Sequence, residues 1–373
     1  MANNNLTNAK RAKNDEFYTQ FGDIQKEIQA YLEYNPNVFR NKVVYCNCDD
    51  PFESNFFRYF VLNFNKLGLK QLITTSYKPS PVANTQLALF GDDKTLAKSK
   101  GRSKVNANKF IINEARDIDG DGEFNLEDVA MQLKTNKHNE WTPLEGDGDF
   151  RSDECVNLLK QSDIVVTNPP FSLFREYVKQ LFDYNKKFVI IGNKNSVTYK
   201  EIFPLIKENK MWSGKTEWSG GLWFITIDGG DVDRVIDGVN MKNVSSVWFT
   251  NIDHGRRHQP LPLMTMKENL KYSKHKEIKG KKAYDKYDNY SAIEVPFTDA
   301  IPSDYDGIMG VPISFLDKYN PEQFEILGSD YNIKEGLLPE LINPKWVGKL
   351  DRGYVNNKRL YTRIFIRHKK VEK

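Results

Sequence analysis

Two spacings of apolar residues alternate along the first two hundred positions. In DIQKEIQAYLEY (23–34), Ile24, Ile28, Tyr31 and Leu32 fall on one stripe, which predicts a helix. KVVYCNC (42–48) is a short apolar block and predicts a buried strand. SNFFRYFVLNFNKLG (54–68) returns to helical spacing and stops at Gly68, and LKQLITTSY (69–77) reads as a second strand. A Pro/Ser/Asn/Lys-rich stretch (78–108) interrupts the pattern, and KFIINEA (109–115) is a further strand candidate. The alternation then resumes: helix ECVNLLKQS (154–162), strand SDIVV (162–166), helix LFREYVKQLFDYN (173–185), strand KKFVIIGN (186–193) and helix SVTYKEIFPLIKEN (196–209). Strands alternating with helices predict an α/β fold built on a doubly wound, mainly parallel sheet.

From residue 211 the texture changes. Aromatic-rich strands (GGLWFITI, 220–227; SSVWFTNI, 245–252) precede a basic Tyr/Lys stretch (271–290), and KRLYTRIFIRHKK (358–370) alternates basic and apolar residues as an amphipathic strand does. The expected layout is a polar arm (1–13) carrying Lys10, Arg11 and Lys13, a main domain (14–250) with an insertion near 80–142, and a second region (251–373).

Charge sharpens that division. The chain has a net charge of only +4, yet residues 342–373 hold 10 basic against 2 acidic residues. Such concentration is the footprint of a polyanion partner or of a solvated charged face. Three cysteines in 373 residues make no disulfide framework and point to a reducing compartment. Cys46 and Cys48 lack a second pair or a nearby His, so they do not read as a zinc site. No apolar run approaches membrane-spanning length, and the first residues lack the apolar core of a secretory signal, so a cytoplasmic protein is expected.

The candidate chemistry lies in TNPPF (167–171), at the carboxyl end of the strand SDIVV. Open α/β sheets bind ligands outside that end. A residue before proline is pushed to extended backbone and proline fixes φ, so Asn168-Pro169-Pro170 is a stiff corner. It offers the Asn168 amide oxygen and proline carbonyls that have no N–H of their own residue beside them. Two fixed acceptors can hold both protons of an exocyclic amine, and Phe171 can stack on a flat ring. An Asn-Pro-Pro turn with a buried Phe is the structural alternative.

This run matches [DNS]-P-P-[YFW], the signature of amino-methyltransferases that use S-adenosylmethionine (SAM). The chain as a whole resembles the EcoRI-type DNA adenine-N6 methyltransferases. The resemblance is carried by NDEFYTQFGDI (14–24), YCNCDDPFESNFFRYF (45–60), GDGDFRSDE (146–154) and DIVVTNPPFSLFREYV (163–178). It continues in WFTNIDHGRRH (248–258), YDKYDNYSAIEV (284–295), GIMGVPISFLDKYNPEQFEILG (307–328) and RLYTRIFIR (359–367). It implies a Rossmann-like SAM-dependent methyltransferase sheet with a C-terminal DNA target-recognition region, SAM as cofactor, and double-stranded DNA with a flipped adenine as substrate. It also implies a bacterial or phage-type setting in which a cognate restriction endonuclease acts on the same site.

The implied roles are specific. Asn168 and the Pro169 carbonyl would hold the target amino group, with Pro170 completing the corner and Phe171 stacking on the flipped ring. Asp15, Glu16, Phe17, Tyr18 and Thr19 would line the methionine end of SAM; Cys48, Asp49, Asp50 and Pro51 would form the cofactor loop; Asp149 and Phe150 would meet the SAM adenine. NCDDP stands where many methyltransferases carry F-x-G-x-G, and TTSY (74–77) stands where an acid usually meets the ribose. Asp49 and Asp50 also fit a helix N-cap pair. HGRRH supplies the base-reading candidates Arg256, Arg257 and His258, with Lys281 and Lys282 as phosphate contacts. Competing readings are an RNA or protein-glutamine methyltransferase, or a DNA-binding protein without catalysis.

One motif points elsewhere. DIDGDGEFNLED (117–128) approaches a calcium loop, with Asp117, Asp119 and Asp121 at positions 1, 3 and 5 and Gly122 at 6. Position 12 is Asp128 rather than the Glu of an EF-hand. A structural Ca²⁺ is the expectation it raises.

Overall fold

The computed structural model describes residues 18–48, 54–77, 107–118, 120–122, 124–135, 138–225, 232–236 and 238–369. The chain divides into two compact units. The first ends at Lys194 and resumes over Gly214–His254; the second takes Asn195–Ser213 and the chain from Gly255 onward.

In the first unit the elements follow the apolar pattern closely. They are β1 (Tyr18–Thr19), α1 (Phe21–Tyr34), β2 (Val43–Cys46), α2 (Asn55–Leu62), α3 (Phe64–Leu67), β3 (Gln71–Thr75), β4 (Asn108–Ile112), α4 (Leu126–Thr135), β5 (Glu140–Pro143), α5 (Asp153–Gln161), β6 (Ile164–Thr167), α6 (Phe174–Asp183) and β7 (Lys187–Asn193). β8 (Leu222–Ile225), β9 (Arg234–Ile236), β10 (Val239–Val244) and β11 (Ser246–Thr250) complete it. The single helix expected over 54–68 is broken at Asn63, whose backbone and side-chain N–H groups both donate to the Tyr59 carbonyl.

The main sheet runs in the order β5-β4-β3-β2-β6-β7-β11. β3, β2, β6 and β7 pair in parallel; β4 and β11 run antiparallel to them, and β5 pairs antiparallel with β4 at the edge. The mainly parallel expectation is therefore corrected to a mixed sheet. The reason is that strands covered on both faces read as continuous apolar runs whichever way they point. The core beneath is aromatic: Phe57 meets Phe110 edge-on at 5.5 Å and Phe56 meets Trp248 at 6.0 Å. Glu27 is a fully buried carboxylate of this unit. Glu27 accepts the Tyr31 hydroxyl (2.7 Å) and the Lys215 and Thr216 N–H groups (2.7 and 2.9 Å), so the chain re-entering at Gly214 is pinned to α1.

The second unit holds a smaller sheet. β12 (Ile293–Glu294), β13 (Met309–Pro312), β14 (Phe324–Ser329) and β15 (Arg363–His368) lie in the order β12-β13-β15-β14. The helix expected over 196–209 is a 3-10 turn (Lys194–Thr198) followed by the short α7 (Phe203–Lys207), because Pro204 suits a helix start and not an interior. The Arg363 guanidinium crosses to the Glu294 carboxylate at 2.6 Å in the interior, and Tyr287 donates to the same carboxylate.

Asp330 lies beside this pair, fully buried, accepting the Arg363 N–H at 2.6 Å. Burial pushes its carboxyl from 3.8 up to about 6, although the Arg363 N–H and the neighbouring Arg352 and Arg363 charges pull it down. A carboxyl raised on folding stabilises the fold when protonated. That contribution is present below pH 3.8 and is lost as pH rises through about 6. Urea unfolding of the full chain and of Asp330→Asn at pH 5.0 and 7.5 checks it. The wild type should gain about 1 kcal/mol relative to the variant at the lower pH. An equal difference at both pH values would contradict the assignment.

Candidate functional site

β2 lies between β3 on one side and β6 on the other, so successive crossovers leave it in opposite directions. The crevice beyond the carboxyl ends of β2 and β6 is the topological switch point where such sheets bind ligands. Two sequence motifs meet there. Asn47 and Cys48 leave β2, and Asn168-Pro169-Pro170-Phe171 leaves β6. The Thr167 hydroxyl donates to the Asn47 carbonyl, and the Tyr177 hydroxyl donates to the Asn47 side-chain oxygen. Asn47 thus ties the two strand ends to α6. Cys48 takes φ +62, a left-handed conformation that favours glycine. A non-glycine residue thus makes the left-handed turn after β2.

The corner itself is ordered by short contacts. The Pro170 carbonyl accepts the Leu173 N–H at 3.0 Å, closing a 3-10 turn over Phe171–Leu173. One lone pair of that carbonyl is thereby used by the turn. Asn168 is half-buried, Pro169 is buried, and Phe171 is half-buried with its ring against the core.

The GDGDF loop is fastened to the next strand end. Gly148 has φ +77, and a Cβ there would be driven into the Ser76 carbonyl oxygen and to 2.8 Å from the Ala107 Cβ. Glycine is required on both counts. The following Asp149 binds Arg151 through two side-chain hydrogen bonds (2.9 and 2.7 Å) and accepts its backbone N–H (2.8 Å). Burial pushes the Asp149 carboxyl up, but Arg151 outweighs this and holds it below the usual carboxylate range. A carboxylate offers about four acceptor positions, so one remains on Asp149 for an outside donor. Phe150 is buried with its ring edge-on to Tyr177 at 5.0 Å, and its carbonyl accepts the Gln180 amide at 3.0 Å.

Tyr18 and Thr19 form β1, paired with Ile225 and Phe224 of β8. The Thr19 carbonyl accepts the Asn55 amide at 2.8 Å, which sets this end of the N-terminal motif beside the start of α2. Ser54 caps that helix through the Phe56 and Phe57 N–H groups (3.0 and 3.1 Å). Asp15, Glu16, Phe17, Asp49, Asp50 and Pro51 lie outside the described residues, as does the 1–13 arm. Asn47, Gly148, Arg151, Tyr177 and Gln180 were not singled out by the sequence. Tyr177 was hidden because Phe174, Tyr177, Val178 and Leu181 read as an ordinary buried helix stripe.

The calcium expectation is not supported. Asp119 lies outside the described residues. Among those described, no group of three or more His, Cys, Asp or Glu side chains is placed to hold a metal. Asp128 is fully buried and accepts the Ile118 and Asn125 N–H groups (2.6 and 2.9 Å), while Asp117 accepts those of Gly120 and Gly122 (2.6 and 2.8 Å). These carboxylates brace the turn through its own backbone, which explains why a calcium-like spacing recurs here.

The basic candidates sit in the second unit and are largely engaged there. Arg256 pairs with Asp317 at 2.9 Å, and Arg257 is buried with its guanidinium 3.6 Å from the Trp212 ring centre. His258 meets Glu322 at 2.6 Å and Lys281 meets Asp285 at 2.6 Å; Lys282 is exposed.

Comparison with known proteins gives the arrangement its family. A model of adenine-specific methyltransferase EcoRI matches residues 5–369. The chain is 42% identical to the Type II methyltransferase M.EcoRI of Escherichia coli, over 99% of this chain and 97% of that protein. It is 36% identical to M.MpnI of Mycoplasma pneumoniae, over 97% of each chain, and 34% identical to M.MgeORF184P of Mycoplasma genitalium, over 97% of this chain and 98% of that one. No solved structure matches. With the motif at the switch point and a match over nearly its whole length, the chain belongs to the EcoRI family of adenine-specific methyltransferases.

Proposed function

We propose that this enzyme methylates the N6 amino group of adenine at specific sites in double-stranded DNA, and that the adenine is flipped out of the duplex to reach the corner at the end of β6. The observation that carries this reading is the junction of two strand ends, where Asn47 joins the cofactor-loop side of the crevice to the Asn-Pro-Pro-Phe side. Within a duplex the amino group is inaccessible, so the base must leave the stack. Asn168 and the Pro169 carbonyl accept its two amino protons and aim the nitrogen lone pair, while Phe171 stacks on the ring. The corner is held by the β6 ladder and the Phe171–Leu173 turn, so orientation supplies much of the rate.

SAM supplies an activated methyl group when bound. The residues present fit it: Asp149 retains an acceptor position for an amino group, and the left-handed Cys48 turns the loop after β2. Asp149 with Phe150 takes its adenine end, Cys48 through Pro51 forms the loop around its middle, and the segment Asp15 to Thr19 lies toward its methionine end. The first unit thereby serves as the Rossmann-like SAM-binding domain and the basic second unit as the DNA target-recognition region. A cognate endonuclease acting on the same site is the partner this implies. The adenine-specific family sets aside the glutamine reading.

A duplex carrying 2-aminopurine at the target adenine tests base flipping. Its fluorescence should rise several-fold on binding the wild type. Phe171→Ala should lower that rise and slow methyl transfer by about tenfold or more, at one stacked base's worth of about 1–3 kcal/mol, with SAM affinity unchanged. An unaltered rate and signal in Phe171→Ala would remove the stacking role.

A further inference from the structure

In the second unit, several cations of the basic C-terminal stretch are neutralised on the spot: Arg359 by Asp351, Arg363 by Glu294 and Arg367 by Glu325, each at 2.6 Å. Lys345, Lys349 and Lys358 are exposed and form no ion pair with a carboxylate among the described residues. Lys358 lies in a hairpin, and Lys345 and Lys349 flank Trp346, which packs on it. Tyr354–Val355 pairs antiparallel with Lys358–Arg359, with Val355 opposite Lys358, so the loop is only Asn356 and Asn357. Both take left-handed backbone, φ 50 and 61, as a type I′ turn demands.

The hairpin is rigidly seated. The Tyr354 N–H donates to the Asn289 side chain at 3.0 Å, the Asn357 N–H to Asp288 at 2.8 Å, and the Leu360 N–H to the Gly353 carbonyl at 2.8 Å. Trp346 packs on Tyr354 with ring centres 5.2 Å apart, and its indole N–H donates to the Lys349 carbonyl at 3.2 Å. That contact fixes a neighbouring loop on which Val347 is 96% exposed, and Tyr361 beyond the hairpin is 88% exposed. A rigid ribbon is thus tipped by two exposed amides and flanked by free cations and two uncovered apolar side chains.

Resting on the DNA-methyltransferase reading above, we propose that this hairpin is a base-reading element: it enters the major groove of the target duplex, Asn356 and Asn357 address base edges, and Lys358 contacts a phosphate. The major groove admits a two-stranded ribbon, and an asparagine amide matches the acceptor and donor of an adenine edge. Val347 is suited to the thymine methyl group, which takes apolar contacts. Lysines without internal partners supply the sequence-independent attraction.

Asn356→Gly combined with Asn357→Gly preserves the left-handed turn and deletes only the amides. The target site is first read by sequencing DNA methylated by the wild type. Methylation is then measured on that site and on duplexes with one base pair changed beside the adenine. The double variant should lose roughly 5- to 100-fold of the discrimination at one or two positions, with SAM affinity unchanged. Lys358→Gln should weaken DNA binding at every sequence alike and reduce the salt dependence of binding by about one unit of slope. An unchanged site preference in a folded double variant overturns the proposal. If the double variant does not fold, an unchanged salt slope in Lys358→Gln does so. A wild type that makes no N6-methyladenine sinks the underlying DNA reading instead.

Discussion

Asn168→Ala should reduce methyl transfer by at least about a hundredfold, the scale seen when one fixed hydrogen-bonding group is removed from a reacting centre. SAM and duplex DNA should still bind within a few-fold of the wild type. Asn168 sits directly beyond β6, which is paired on both sides, to β2 and β7. Its neighbour Pro169 is buried, so the corner cannot swing to compensate. In the proposed role, removing the amide leaves the flipped base with one acceptor in place of two, and the amino lone pair is no longer aimed. Asn168→Asp keeps an acceptor at the same place and should retain more activity than the alanine variant. Initial rates with saturating SAM and DNA give the comparison. If the alanine variant keeps a third of the wild-type rate, Asn168 is a structural corner and nothing more.

Gly148→Ala should damage both stability and cofactor binding. A left-handed alanine costs about 1–2 kcal/mol, and forcing a methyl group against backbone typically adds about 1–3 kcal/mol. Here the obstruction is the Ser76 carbonyl, which cannot rotate away because Ser76 is held by backbone and side-chain bonds to Asn108 (2.9 and 2.7 Å). The melting temperature should fall by several degrees. SAM affinity should fall as well, since Asp149 and Phe150 follow directly. Gly120→Ala is the matched control. It also has positive φ, 81°, but a Cβ there meets nothing within 4 Å. It should show the conformational cost alone. Equal effects of the two substitutions would mean that the close approach to Ser76 carries no weight.

The contrast between what the chain announces and what it conceals has a physical basis. The parallel strands and the Asn-Pro-Pro-Phe corner were legible because local chemistry fixes them: apolar blocks make buried strands, and two prolines make a stiff end. Strand direction in β4, β5 and β11 was not legible, since it depends on pairing across the sheet. Asn47 read as the end of a predicted strand, yet its partners are Thr167 and Tyr177, 120 and 130 positions away. Arg256 and Arg257 looked like free cations because Asp317 and Trp212 are distant in sequence. The acidic loop at Asp117 shows the reverse case: its spacing suits a turn braced by carboxylates as well as one that holds a cation.

Methyl transfer to adenine in duplex DNA, through the corner proposed at Asn168, can be tested directly. The most direct measurement incubates the full chain with methyl-labelled SAM and mixed genomic DNA lacking adenine methylation, followed by digestion and nucleoside analysis. Label should appear in N6-methyladenine alone and be absent when Asn168→Ala replaces the wild type. SAM bound with no label in DNA, or label in any other nucleoside, would contradict it.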